Sequence, residues 1–397
     1  MERITIMRDA LETVRVVEFG AYAAGPAIGK YLANFGARVV HVESYQRPDG
    51  FRLQYPPFKD GKVGINRSGC FCFFNDSKYG VALDLKTEEG RSAALTLVGW
   101  GDVVIENMRP GVMERLGLGD DRLRERKPDL IILSTSNMGR TGPHAGHPGF
   151  GSQLSSLSGF TELTGESDGP PSLLYGPYID LIAVAYGGAA VLAALDHRRR
   201  TGEGVVIDLS QYEAGLQFLA PALLDFSANG RIARRRGNRD AIAEPHGCYP
   251  CREGRWIAIS CWSDAEFERL CAALVPSPSG EGGAKRRVRG VDASIAAATR
   301  EHDAHELMQR LQEAGVHAAV VNTMKDLFND PQFLTRDVWQ SMEHPEIGAQ
   351  RYRMVSYQLS ETPGSVRRAA PCLGQDNEEV LSEWLGLDDA EFQVRSA

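Results

Sequence analysis

Apolar, β-branched runs alternate with amphipathic stretches through the first half of the chain. Strands are predicted at Val14–Phe19, Arg38–Glu43, Val81–Leu85, Val103–Glu106 and Leu130–Ser134, with helical spacing between several of them at Ala27–Phe35, Glu88–Gly99 and Val112–Leu116. Strands separated by helices must be joined by crossovers, which predicts an α/β fold around a parallel sheet. Such sheets hold ligands beyond the carboxyl ends of their strands, so the loops after Phe19, Glu43, Glu106 and Ser134 are the places to search. Further on, Val205–Ala214 reads as another strand leading into a helix, and a charged linker follows at Asn229–Asp240. The residues from Cys248 to Ile259 pattern as a hairpin in which Trp256–Ser260 is the clearest strand. Helices are expected near Ala304–Glu313 and Asn377–Trp384, and the turn-rich tract Pro276–Gly290 reads as an exposed loop with a solvated basic run.

One apolar run stands apart. From Ile179 to Leu195 it is shorter than the roughly 20 residues of a membrane span, and Asp180 lies near its start, so a buried helix is predicted. Ala183, Ala185, Gly187, Gly188, Ala189 and Ala190 would let another backbone or a ligand approach it closely. Asp196–Arg200 and then Thr201-Gly202 supply a cationic end and a glycine stop. Asp180 itself has two readings. An acid in a first turn meets the positive end of the helix dipole. An ionisable group at the mouth of a greasy segment also costs free energy unless it is paired or used, which makes it a candidate site.

Composition narrows the class without choosing a function. With 397 residues, two lobes are the default. A net charge of -8 argues against broad nucleic-acid binding, and the N-terminus lacks an uninterrupted apolar core and a cleavage site, so a cytoplasmic protein is expected. Seven cysteines, at 70, 72, 248, 251, 261, 271 and 372, are an odd set expected to be reduced. Cys248 and Cys251 have redox or zinc-ligand spacing, but no second pair follows, so ordinary buried cysteines on a strand pair are expected and no metal. The loop Gly20–Ala27 lacks the GxGxxG of a dinucleotide turn and the Lys-Ser/Thr of a P-loop; Pro26 instead suits the first turn of a helix whose free amides face an anion.

A chain of ordered motifs then resembles a known family. These are Val16-Val-Glu-Phe through Ala24-Gly-Pro, Phe35–Glu43, Asn75-Asp-Ser-Lys78 with Leu83-Asp-Leu-Lys86, and Glu106–Gly111 with Arg115-Leu-Gly. Gly139-Arg-Thr-Gly-Pro143, Asp180 with Arg200–Gly204, Asn329–Phe333 and Ala370–Gly374 continue the series. In this order, over nearly the whole length, they resemble the class III CoA-transferases, which include formyl-CoA and carnitine CoA-transferases and are related to α-methylacyl-CoA racemase. The resemblance implies a large domain with a Rossmann-like parallel sheet, residues 1–225 completed by 345–397, and a smaller α+β domain at 226–344. It also implies an interlocked homodimer, or association with a homologous subunit.

The resemblance makes Asp180 the nucleophile that attacks an acyl-CoA thioester, giving first a mixed anhydride and then an aspartyl-CoA thioester resolved by an incoming carboxylic acid. No permanent cofactor is implied; coenzyme A arrives with the substrate. By the same matching, Ala21, Tyr22, Ala23 and Ala24 lie against CoA, Leu83 and Lys86 near the adenine, and Asn107, Met108 and Arg115 along the nucleotide and pantetheine. Ser44 stands where relatives often carry a basic residue, and Arg47 is the substitute. The racemase relatives pair the aspartate with an upstream histidine, but Phe150 and Gly151 occupy the matching positions, and His147 is out of register. Acyl-CoA transfer is therefore the main expectation, with a racemase-like enzyme or a non-catalytic subunit as alternatives; a nicotinamide oxidoreductase fails on its fingerprint. Succinyl-CoA as donor and an aryl-substituted or other dicarboxylate as acceptor are expected, as in benzylsuccinate CoA-transferase. Tyr22, Tyr178 and Phe150 are candidates for an aromatic wall, and Arg236, Asn238, Arg239 and His246 for binding a free carboxylate.

Overall fold

The computed structural model describes residues 9–176, 178–274 and 290–387. The readings of the first eight residues and of the basic tract 276–289 lie outside them. Strands β1 (Arg15–Phe19), β2 (Arg38–Glu43), β3 (Tyr79–Ala82), β4 (Val103–Glu106), β5 (Ile131–Ser136) and β6 (Val206–Ser210) form one sheet, ordered β3-β2-β1-β4-β5-β6. Every pairing in it is parallel. The expected α/β sheet is present, and its strand order reverses between β1 and β4, which opens a ligand crevice at their carboxyl ends.

Alternate side chains of a strand face opposite sides, so each strand here feeds two cores. Val16, Val39, Ile105 and Leu133 face one, while Val17, Val40, Val104 and Ile132 face the other. Burial on both faces explains the continuous apolar runs in the sequence. The expectation for the third strand needs correction. It runs over Tyr79–Ala82, not Val81–Leu85, because the Leu83 amide makes the last bond, to the Glu43 carbonyl, and the chain then turns at Asp84.

Eight helices matter below: α1 (Ala24–Asn34), α2 (Gly50–Leu53), α3 (Gly69–Asn75), α4 (Glu88–Trp100), α5 (Gly151–Leu157), α6 (Tyr178–Thr201), α7 (Gln211–Leu216) and α8 (Ala220–Asn229). Thr87 caps α4 by accepting from the Gly90 amide, and Glu88 and Glu89 sit in its first turn, where the dipole favours acids. Helix α6, at 24 residues, is longer than its apolar run and is long and apolar enough to cross a membrane. One of its faces, with Ile182, Ala183, Val184, Gly187 and Val191, instead packs into the protein against α1, α5, α7 and β5.

Gly187 sets how closely α6 and α1 approach. A Cβ there would lie 2.4 Å from Ile28 Cδ1 and 3.2 Å from Leu209 Cδ2, whereas a Cβ on the neighbouring Gly188 meets open space. Gly187→Val is expected to cost about 1–3 kcal/mol through overpacking. Gly188→Ala should be neutral or stabilising by up to about 1 kcal/mol, since alanine favours helix. Thermal unfolding of the two variants checks this; equal midpoints would remove the packing role assigned to Gly187.

Two compact units result. The first holds the residues up to Phe160, Leu173–Leu224 and those from Gln332 onward; the second holds Thr161–Ser172 and Asp225–Pro331. The expected boundaries at 225/226 and 344/345 therefore shift. Thr161–Ser172 belongs to the second unit because Arg235 grips Glu162 and the Gly237 amide bonds the Gly165 carbonyl. The stretch from Gln332 belongs to the first, where Met342 and Tyr352 of the hairpin β10–β11 (Trp339–His344, Gly348–Arg353) join the α1 side of the core. In the second unit β7 (His246–Pro250), β8 (Trp256–Ser260) and β9 (His317–Val320) form an antiparallel sheet, so the expected hairpin gains a third strand. All seven cysteines are free; Cys251 is buried as expected, but Cys248 is exposed. No metal-binding cluster occurs among the described residues.

Candidate active site

The loop between β1 and α1 is held from two directions. Asn107, just past β4, accepts from the Ala21 amide at 2.9 Å and donates back to the Ala21 carbonyl at 2.7 Å. Its amide fills space left by two glycines, since a Cβ on Gly20 or Gly25 would come within 2.9 or 3.2 Å of it. On the other side, Tyr22 takes a left-handed backbone with φ 64°, and its amide lies 3.1 Å from each oxygen of Asp49. The Tyr22 ring sits over Gly50, where no Cβ would fit, and meets Phe51, Tyr55 and Phe150 edge to face.

Beneath this loop lies a buried ionic cluster. Lys78 donates to both oxygens of Glu18 (2.8 and 3.0 Å), to the Pro26 carbonyl (2.7 Å) and to Asn75 (2.9 Å). Arg52 grips Glu43 through Nε and Nη2, and its guanidinium stacks 3.6 Å over the Phe71 ring. His41 bridges the two pairs, with Nδ1 2.6 Å from Glu18 and Nε2 3.6 Å from Glu43. Lys30 pairs with Asp76 alongside. Burial opposes the Glu18 charge, but Lys78 and His41 outweigh it and hold that carboxyl below its ordinary range. Glu18, Glu43 and Lys78, which carried part of the resemblance, are thus interior groups beneath the loop.

The carboxyl edge of β3, β2, β1 and β4 gathers the loops that carry the expected CoA contacts, but not every side chain is free to serve. Leu83 is fully buried in the core, so only its backbone can face a ligand. Ala23 and Ala24 are buried too, so only their backbone can face a ligand. Asn107 already spends its amide on Ala21. Arg47, Lys86 and Arg115 are exposed cations, and Met108 is half-buried, its amide bonded to Glu106 at 2.9 Å. Glu106 also accepts from Ser134, yet burial pushes its carboxyl up to about 7. Asp49 was not singled out in the sequence, and that it meets His41 in one buried cluster is visible only once the fold is known.

Asp180 occupies the first turn of α6, where the free amides and the dipole favour an anion. Ile179 beside it is buried, and the Tyr178 ring meets Phe160 edge to face at 5.5 Å. Asp180 is half-buried, and desolvation pushes its carboxyl up to about 6 although its own amide helps hold the charge. The result is an ionisable, poorly hydrated carboxylate of the kind nucleophilic attack requires. At the racemase positions Phe150 is exposed and Gly151 buried, neither able to move a proton, while His147 pairs with the His144 ring. Of the expected carboxylate binders, Arg239 donates to Ser167 and His246 contacts the Asn238 carbonyl, all within the second unit.

These features belong to an α/β protein with a desolvated aspartate at the head of a helix and ligand loops at the carboxyl edge of a parallel sheet. Residues 11–377 match CoA-transferase family III. Succinyl-CoA–D-citramalate CoA-transferase of Chloroflexus aurantiacus is 33% identical over 397 residues, covering 98% of this chain and 97% of the relative. The alpha subunit of succinyl-CoA–L-malate CoA-transferase from the same organism is also 33% identical, over 96% of this chain and 90% of its own. The crystal structure of a CAIB/BAIF family protein from Brucella suis superimposes with a TM-score of 0.86 at 28% identity, covering 95% of this chain and 99% of that one. The chain belongs to CoA-transferase family III, and it is an enzyme that moves CoA between a CoA thioester and a carboxylic acid.

Proposed function

We propose that this enzyme transfers CoA from succinyl-CoA to a second dicarboxylic acid through a thioester on Asp180. The half-buried Asp180 carboxylate at the head of α6 carries the reading. One Asp180 oxygen attacks the thioester carbonyl, the C–S bond breaks, and CoA leaves as thiolate from a mixed anhydride. The thiolate then attacks the aspartyl carbonyl and expels succinate, leaving the aspartyl-CoA thioester. The acceptor carboxylate displaces the thiolate to form a second anhydride, and the thiolate attacks the acceptor's carbonyl and frees Asp180. Charge and atoms balance without a net proton.

In this reading the Ala21–Ala24 backbone lies along the CoA chain, and Arg47, Lys86 and Arg115 meet its phosphates through charge-assisted bonds. The dicarboxylate preference rests on the citramalate and malate enzymes among the relatives. The aromatic rings of Tyr22, Tyr55 and Phe150 favour an acceptor with some apolar surface. We further propose that the chain works as a dimer, with itself or with a homologous chain. The second face of α6 leaves Leu181, Tyr186 and Leu192 exposed, and α8 buries no residue although it carries Leu223, Leu224 and Phe226. Apolar patches of this kind mark association surfaces.

Mass spectrometry of the purified enzyme with succinyl-CoA and a panel of dicarboxylic acids tests the assignment. A new CoA ester and a hydroxylamine-sensitive adduct on Asp180 are expected. Exchange of the α-hydrogen of a 2-methylacyl-CoA with deuterated water, in place of transfer, would overturn it in favour of the racemase chemistry.

A further inference from the structure

Asp49 stands at a point where packing, hydrogen bonding and charge balance converge. It is 3% exposed, caps α2 through the Phe51 amide at 2.8 Å, and accepts the Tyr22 amide with both oxygens. Its own amide donates to Glu43 at 2.9 Å, which ties it to the end of β2. A left-handed non-glycine residue is held only where the surroundings over-determine it. For Tyr22 that hold is Asp49, with the Asn107–Ala21 clasp one residue earlier.

The cluster's charges make Asp49 the odd member. Glu18 has Lys78 and Glu43 has Arg52, whereas Asp49 has no ammonium or guanidinium of its own among its recorded ion pairs. The basic atom facing it is His41 Nε2, at 3.9 Å from Oδ2 and 3.6 Å from Glu43, buried and without a hydrogen-bond partner. A bare imidazole nitrogen facing two carboxylate oxygens is repulsive, since lone pairs meet lone pairs. One proton placed on His41 or on Asp49 removes the repulsion and balances the cluster.

We propose that Asp49 and His41 form a proton-sharing pair that positions the β1–α1 loop for acyl-CoA by fixing the Tyr22 amide. The proposal rests on the reading that this loop lies along CoA. Asp49 is a positioning residue, acting on the substrate through Tyr22. Burial pushes its carboxyl up to about 6, with His41 opposing and Glu43 adding to the rise. The groups facing it are His41 and Glu43 from β2, Lys78 ahead of β3, Cys70 from α3 and Tyr22 itself. The sign follows from the raised carboxyl. Protonation is favoured in the folded protein, so the stability this group supplies is present at acid pH and is lost as pH rises through about 6.

Asp49→Ala and Asp49→Asn separate this from a purely structural role. Asp49→Ala should raise the KM for succinyl-CoA about tenfold, the size of one lost charge-assisted anchor, with the acceptor KM and adduct formation on Asp180 at saturation kept. Asp49→Asn retains one acceptor oxygen, so it should recover most of that loss, flatten the pH dependence of succinyl-CoA KM around pH 6, and unfold no earlier than wild type at pH about 8. Hydrogen exchange of the Ala21–Ala24 amides, with and without CoA in the wild type, tests the underlying reading separately. Absence of protection by CoA would overturn that reading and the proposal with it. Protection together with an unchanged KM in Asp49→Ala, or losses in both variants that merely follow their unfolding midpoints, would overturn the proposal alone.

Discussion

Asp180→Ala is expected to abolish CoA transfer while leaving a folded, CoA-binding protein. Removing a covalent nucleophile leaves only binding and electrostatic assistance, so kcat should fall by about ten thousand-fold or more. The hydroxylamine-sensitive adduct disappears with it. Folding should be spared because, among the described residues, no other side chain bonds the Asp180 carboxylate; burial and its own amide set its state. The pH profile follows from the same group. Attack needs the ionised carboxylate, which desolvation holds back until about pH 6, so kcat/KM should climb toward a plateau as pH rises through that value. Stability runs the other way. A carboxyl raised in the folded state contributes most when protonated and loses that contribution as pH rises through about 6, so Asp180→Ala should flatten this part of the stability curve. Transfer assays and denaturation between about pH 5 and 8 read both. More than a few per cent of wild-type turnover in the variant, or a wild-type profile flat across that range, would remove Asp180 from the chemistry.

Asp180 stands out in the chain as a candidate because a charge lies at the start of a long apolar run, and in the fold it remains half-buried at the head of α6. The sheet was legible for a related reason: strands buried on both faces leave continuous apolar runs, as Val16-Val17 and Val103-Val104 do. What sequence patterning could not show is which polar motif residues face inward. Glu18, His41, Arg52 and Lys78 are the residue types a surface also carries, and only the packing of β1, β2, α2 and the segment before β3 puts them together at 0% exposure. Nor could patterning show that Leu83, just past β3, turns its side chain into the core and leaves only its backbone for a ligand. The boundary at Thr161–Ser172 was hidden because it depends on Arg235 and Gly237, more than sixty residues later.

Lys78→Met is expected to cost about 3–5 kcal/mol, the range for breaking a buried ion pair by removing one partner. Methionine keeps the stem's volume, so the loss is one of charge and hydrogen bonds. Glu18 would lose its main counter-charge, and the Pro26 carbonyl and Asn75 Oδ1 would lose their donor. For a domain of this size the thermal midpoint should drop by roughly 10 °C. The deficit depends on pH in a fixed direction. Lys78 and His41 hold Glu18 below its ordinary value, so the stability this pair supplies is present above the unfolded-state value near 4.5 and lost as pH falls through the folded one. The variant should therefore be furthest from wild type near neutrality and closest in acid. Glu18→Gln combined with Lys78→Met removes both charges, and replacing both partners of a buried pair is far cheaper than orphaning one. The double variant should recover a large part of the stability lost in Lys78→Met alone. Were the single variant as stable as wild type, or the double variant worse than the sum of the singles, the β1–α1 loop would have to be supported by the Asn107 and Asp49 contacts without the ion pair beneath it.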